Sequence, residues 1–297
     1  MKTLDPKELT VPQLHGYLLN AVSPRPIAFA STIDENGRPN LAPFSFFNVF
    51  SSNPPMMIFS PARRGRDNTT KHTYENVLKV PEVVINIVDY KLVQQCSLAS
   101  TEYPEGVNEF TKSGLTEVAS EIVKPPRVKE APVQFECIVK DVVKLGDQGG
   151  AGNLVMAEVV KIHVRDEVLD ENGNIDPLKI DQVGRCGGNW YNRVNAASMF
   201  EVEKPIRNMG MGIDAMPEDV KNSKFLNGND LGMLGNVELL PNETEVNEYK
   251  LIELSEMFIE LEDQQAQLEE QLHLEAKKQL ENGNVMNAWK TLLAFNN

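Results

Sequence analysis

Short apolar runs, each bounded by glycine, proline, asparagine or aspartate, recur through most of the first 165 residues. Residues 26–33 (PIAFASTI), 55–60 (PMMIFS), 82–88 (EVVINIV), 133–145 and 154–164 predict strands on this pattern. Asp34–Gly37 and Gly146–Gly152 stand where hairpin turns are needed. Helical candidates are fewer. Residues 7–20, 91–100 and 107–113 predict short helices, and residues 70–79 predict a firmer one with Thr69 or Thr70 as its N-cap. Strand follows strand with little helix between, which favours an antiparallel barrel or sandwich over a parallel α/β sheet.

The pattern changes near residue 205. Leu251, Leu254, Phe258, Leu261, Gln265, Leu268 and Leu272 repeat at alternating spacings of three and four, which predicts one long amphipathic helix. Residues 242–281 carry 12 acidic and 3 basic side chains, a net −9 within a chain whose total is −14. Such a helix can pack on its own barrel, pair across a dimer or dock an independent partner, and spacing leaves these open. The expected division is residues 1–204 as one domain and 205–297 as a helical extension. An acidic chain repels phosphate backbones and anionic lipid, so nucleic-acid and membrane binding are not expected. MKTLDPKELT has no apolar core and does not read as a signal peptide. The three cysteines (Cys96, Cys137, Cys186) fit neither a disulfide framework nor a zinc site, so a cytoplasmic location is expected.

Three segments bear residues suited to binding chemistry. In 40–53 (NLAPFSFFNVFSSN), phenylalanines alternate with Ser45, Asn48, Ser51 and Ser52, which suits either a strand edge with core aromatics or the wall of a flat ring. In 63–73 (RRGRDNTTKHT), Arg63, Arg64, Arg66 and Lys71 concentrate positive charge just before a helix N-terminus. That is either a solvated basic loop or a phosphate site. In 184–194 (GRCGGNWYNRV), glycines precede Trp190 and Tyr191, as in a turn flanked by aromatics or a ring cover. Gly146–Gly152 does not spell a dinucleotide fingerprint and lies between two strands. His15, His72, His163 and His273 are dispersed, and no GxSxG elbow occurs.

Taken together, residues 24–60 with these loops resemble the flavin reductase-like, FMN-binding split-barrel family, over about residues 15–200. The resemblance implies a mainly β fold with peripheral helices: a split β-barrel of Greek-key type, with a helical C-terminal extension. Residues 205–240 resemble an extension of one subgroup through Gly212-Ile213-Asp214-Ala215-Met216-Pro217 and the run Gly228–Asn236, with Met216 where leucine is more usual. The resemblance further implies an FMN pocket, with FAD less favoured. Thr32, Ser45, Phe46, Phe47, Asn48 and Ser51 would contact the ring, Arg63, Lys71 and Thr73 the phosphate, and Trp190 and Tyr191 a ring face. Arg64 and Arg66 are further phosphate candidates, or would attract a nicotinamide dinucleotide. His72 stands where the family often has aspartate. Tyr103, Glu109 and Phe110 would lie on the substrate side. The implied activity is hydride transfer from NAD(P)H to flavin N5 in a homodimer, with an unidentified electron acceptor and no side chain acting as acid or base. A flavoredoxin-like electron carrier without NAD(P)H turnover uses the same residues. A non-flavin interaction protein is the remaining alternative.

Overall fold

The expected strands all form, and two more appear between the first pair. In this computed structural model, which describes residues 1–206 and 209–296, the N-terminal strands are β1 (Ala28–Ile33), β2 (Pro39–Phe44), β3 (Phe47–Ser52), β4 (Pro55–Phe59) and β5 (Glu82–Asn86). They are followed by β6 (Glu117–Val118), β7 (Arg127–Val128), β8 (Val133–Lys144), β9 (Asn153–Val164), β10 (Val183–Arg185) and β11 (Tyr191–Arg193). Helices α1 (Val11–Ala21), α2 (His72–Lys79), α3 (Val93–Ala99) and α4 (Glu109–Ser113) accompany them. Arg207 and Asn208, which fall in the expected extension, and Asn297 lie outside the described residues. Two compact units result, Met1–Phe200 and Glu201–Asn297.

In the first unit seven strands form one sheet in the order β2-β1-β5-β8-β9-β4-β3, with every pairing antiparallel. Laid flat, seven strands would separate the two edges by roughly 29 Å. Yet edge strands β2 and β3 are joined through Ser45 and Phe46 alone. Three Cα steps reach only about 11 Å. The sheet therefore has to curl back on itself, leaving a split where β2 and β3 meet without pairing.

Strand alternation sorts the core. Ala28 and Ala30 face a cluster with Phe44, Met57, Phe59, Ile85, Cys137, Val139 and Val155 from across the curled sheet. Phe29 faces the other way, into a cluster with Leu41, Leu92, Cys96, Phe110 and Val183 that α3 and α4 help to build. All six residues of β1 are consequently buried, as expected of a strand covered on both faces. The β1–β2 turn is held by Asp34, whose carboxylate accepts from the backbone N–H of Asn36 and Arg38 at 2.9 and 2.8 Å, while Gly37 adopts φ +77°. Cys96 and Cys137 are buried, and desolvation pushes their thiols up, that of Cys96 to about 12, so both serve as packing.

The N-cap of α2 is Lys71, not Thr69 or Thr70. Arg64 engages the Thr69 hydroxyl and the Thr70 carbonyl, and the Thr70 hydroxyl bonds Glu75, so the helix starts later than expected.

The second unit holds α5 (Glu218–Lys221), α6 (Gly228–Gly235), α7 (Glu243–Glu253), α8 (Ser255–Glu260), α9 (Gln265–Glu281) and α10 (Val285–Leu293). The single helix expected over the leucine repeat is instead three, α7, α8 and α9, with breaks at Leu254 and at Leu261–Gln264. Apolar spacing does not guarantee continuity. Here Glu253, Glu256, Glu260 and Asp263 would crowd like charges at i,i+3 and i,i+4 along one helix. Leu254, Leu268 and Leu272 pack with Val246 inside this unit, whereas Leu251 is exposed. Trp289 is fully buried and donates to the Leu234 carbonyl at 3.0 Å, tying α10 to α6. Among the described residues no helix is long and apolar enough to cross a membrane.

One buried charge anchors the β8 side of the sheet. Glu136 has no exposed surface, and its carboxylate accepts from the backbone N–H of Glu121, Ile122 and Val123 at 2.7–3.0 Å and from His163 Nε2 at 2.7 Å. Burial alone would raise its pKa. The backbone donors and His163 outweigh that and hold it at about 2, below the ordinary 4.5. The stabilisation is therefore full above about pH 4.5 and lost as pH falls toward about 2, on the order of 3 kcal/mol in all. Glu136→Gln is expected to cost about 3 kcal/mol and to lower Tm by roughly 5–10 °C at pH 7. In thermal denaturation across pH 2–7, wild type and variant should converge at the acid end. Equal Tm at pH 7 would contradict the anchoring role.

Candidate functional site

The split between β2 and β3 exposes the segment expected to form a ring wall. Ser45 and Phe46 make the join, and Phe47, Asn48 and Ser51 follow on β3. Phe47 packs against the barrel interior, while Phe46 and Asn48 are exposed and Ser45 and Ser51 half-buried. Ser45 is held from below by Arg25, whose buried guanidinium donates to the Leu19 and Val22 carbonyls at 2.6 Å, to the Cys186 carbonyl at 3.2 Å and to Ser45 Oγ at 3.5 Å. Arg25 thus ties the end of α1 and the turn after β10 to the β2–β3 join. Nothing in the local pattern around Arg25 signalled that role. Thr32 lies elsewhere. It has no exposed surface, and its hydroxyl accepts from Asn76 Nδ2 at 3.0 Å, so it supports α2 from the interior and offers no surface to a ring.

The basic loop after β4 is clamped by the β8–β9 turn. The Arg63 N–H donates to the Ala151 carbonyl at 2.9 Å, and the Gly150 N–H to the Arg63 carbonyl at 3.0 Å. Asn153 reaches Ser60 Oγ through its N–H and the Pro61 carbonyl through its side chain, at 3.0 and 2.8 Å. A Cβ on Gly152 would stand 2.7 Å from Ser60 Oγ, so this glycine serves close approach of the turn to the loop.

Within the loop the cations divide. Arg63 turns to Asn68, donating to Oδ1 at 2.7 Å and to the carbonyl at 2.6 Å. Arg64, Arg66 and Lys71 converge instead on Glu102, while Arg66 also donates through Nε to Asp67 Oδ2 at 3.0 Å. Glu102 Oε1 lies 2.8 Å from Arg64 Nε and 3.0 Å from Lys71 Nζ, and Glu102 Oε2 lies 2.6 Å from Arg66 Nη2. Lys71 and Arg64 hold the Glu102 carboxyl below the usual carboxylate range. The position of three convergent cations around an anion, next to the N-terminus of α2, suits a phosphate group. An anion already sits there in the form of Glu102.

Thr73 is buried beneath the cluster. Its hydroxyl donates to Asn40 Oδ1 at 2.8 Å, Asn40 Nδ2 donates to Glu109 Oε1 at 2.9 Å, and Glu109 Oε2 accepts the Leu41 N–H at 3.0 Å. Burial raises the Glu109 pKa against the opposing pull of these donors. Glu109 and Phe110 are nearly or fully buried, which makes them supports of β2 and not substrate contacts. Tyr103 lies in the segment facing the cluster and lines the same small cavity as Lys71 and Thr73.

Trp190 and Tyr191 stand on the short β10–β11 hairpin. Trp190 is 78% exposed, and Tyr191 lies under the Arg185 guanidinium at 4.6 Å. Both are presented outward. Tyr191 lines a cavity of ≈ 400 Å³ with Tyr90, Val93, Arg185 and Arg193, apart from the cation cluster. Sequence reasoning missed Arg25, Asn40 and Glu102. An acid in a Pro-Gly segment facing a basic loop was the one available signal.

Comparison with known proteins identifies the family and the fold. Residues 21–184 match the family described as flavin reductase like domain. A relative in Aquifex aeolicus, itself uncharacterized, is 42% identical over 185 residues, covering 62% of this chain and 92% of that protein. The nitrilotriacetate monooxygenase component B of Bacillus cereus superposes with a TM-score of 0.64 at 28% identity, covering 68% of this chain and 98% of that one. A Shewanella frigidimarina protein with a split barrel domain superposes with a TM-score of 0.56 at 23% identity, covering 66% of this chain and 96% of that one, which shows the shared fold.

Thr73→Val would leave Asn40 Oδ1 without its buried donor. We expect a loss of about 1–3 kcal/mol, read as a lower Tm, and recovery in Thr73→Ser. An unchanged Tm in Thr73→Val would remove the network from the structural account of the site.

Proposed function

The chain belongs to the flavin reductase-like family, and from that premise we propose that its barrel unit binds FMN and works as an NAD(P)H-dependent flavin oxidoreductase. The observation that carries the reading is the convergence of Arg64, Arg66 and Lys71 on a single anion position beside α2. The terminal monoester phosphate of FMN carries close to two charges and three acceptor oxygens, matched to a cluster of forked and point donors. This is also why FMN is preferred to FAD here.

In this reading Arg64, Arg66 and Lys71 hold the phosphate, and Arg63 and Thr73 act behind them by shaping the loop and the start of α2. Ser45, Phe46, Asn48 and Ser51 form the wall along the β2–β3 split, offering apolar surface beside small polar groups and main-chain donors. Phe47 backs the wall from the interior. What a bound flavin supplies at such a site is hydride acceptance from a nicotinamide and onward electron transfer. The protein's share is binding, orientation and access, and no side chain is assigned as acid or base. The outward Trp190 and Tyr191 suit a ring cover contributed to the second subunit of a homodimer.

Addition of FMN should produce a bound-flavin absorbance spectrum, and anaerobic NADH or NADPH should bleach it. A bound flavin that stays oxidised with both donors would replace the reductase reading with electron transfer alone. Failure to bind any flavin would end both. The double variant Arg64→Ala, Lys71→Ala should bind FMN about 10–100-fold more weakly while leaving riboflavin, which lacks phosphate, nearly unaffected. Equal FMN affinity in the double variant would overturn the phosphate assignment.

A further inference from the structure

Glu102 is placed where the ligand's anion would go. It lies in the segment between α3 and α4, with three cationic side chains around its two oxygens at 2.6–3.0 Å. Space next to it is slight: the cavity bounded by Asn40, Ala42, Arg64, Lys71, Thr73 and Glu102 measures ≈ 40 Å³. That is room for about one water. A phosphate group and the Glu102 carboxylate would draw on the same three cationic donors. The backbone N–H groups of Thr101, Tyr103 and Val107 bond to Leu98, Thr101 and Pro104, so these bonds remain local. The segment's ties to the barrel include the Glu102 contacts and the pair Glu105–Arg38 at 3.3 Å, which is largely exposed. Exposed ion pairs of that kind contribute little to stability.

We propose that Glu102 is a built-in competitor for the phosphate of a phosphomonoester ligand: its carboxylate fills the Arg64–Arg66–Lys71 cluster in the free protein and is displaced when the phosphate enters. The proposal rests on the assignment of that cluster as the flavin phosphate site and adds a device to it. A carboxylate brings one charge where the phosphate brings nearly two, so the exchange favours the ligand without making it irreversible. The apparent dissociation constant is the intrinsic one divided by the fraction of protein in which Glu102 has left the site. The device weakens retention and couples phosphate entry to opening of residues 100–107. Both effects suit a flavin that is bound and released over one that is held permanently.

The test compares wild type with Glu102→Gln and Glu102→Ala in three titrations: FMN and riboflavin by flavin fluorescence, and inorganic phosphate by thermal shift. Both variants should bind FMN about 10-fold more tightly. They should also be stabilised by lower concentrations of inorganic phosphate, with riboflavin affinity unchanged. Equal FMN affinity in wild type and variants overturns the proposal, as does an equal gain for riboflavin, because the effect would then not act through the phosphate. If no flavin binds to any of the three proteins, the flavin reading fails separately. The phosphate titration then decides: a stronger response in both variants upholds displacement by Glu102, and an equal response overturns it.

Discussion

The two-residue join between β2 and β3 governs the architecture of the first unit. These strands are the two edges of a seven-stranded sheet, yet the chain passes from one to the other through Ser45 and Phe46. Covalent reach forces the sheet to curl, and the curl creates an interior that Ala28, Ala30, Phe59 and Val155 fill. It also leaves a seam at which neighbouring backbones do not pair. Polar and aromatic groups meet at that seam, and it is there that the proposed flavin site draws its ring wall. Arg25 stiffens it by gathering the end of α1, the turn at Cys186 and Ser45 into one set of hydrogen bonds.

Charge is organised on two scales. The chain is acidic overall, with much of the surplus in residues 242–281, while the loop at 63–71 gathers four cations into a small volume. The loop keeps the cluster in place by spending Arg63 on Asn68 and by docking on the glycine-rich β8–β9 turn. The remaining three cations face Glu102, with Arg66 shared with Asp67. Thr73, Asn40 and Glu109 form the buried floor beneath them and connect α2 to β2 and α4.

Much of the fold was legible. The strands at 26–33, 55–60, 82–88, 133–145 and 154–164 follow from short apolar runs between turn formers, and the Asp34–Gly37 turn from residues that bond their own backbone. Strands β2 and β3 were harder to see because Pro39, Pro43, Asn40, Asn48, Ser51 and Ser52 dilute the apolar pattern, as suits strands beside a seam. The leucine repeat at 251–272 misled in the opposite direction. Its periodicity is real, but the unit closes its own core by bending the chain at Leu254 and again at Leu261–Gln264, which spacing alone does not record.

By itself the sequence determined the strand inventory, the position of the basic loop before a helix, the change of character near residue 205 and the motifs that resemble a flavin-binding family. These are local properties, written in runs of ten residues or so. The tertiary structure decided which cations converge, that Thr32 is interior, that Thr73 and Glu109 share one buried network, and that Glu102 occupies the anion position. Each of those depends on partners 31 to 69 positions apart along the chain. Local pattern carries no information about such distances, and only closure of the curled sheet brings the partners together.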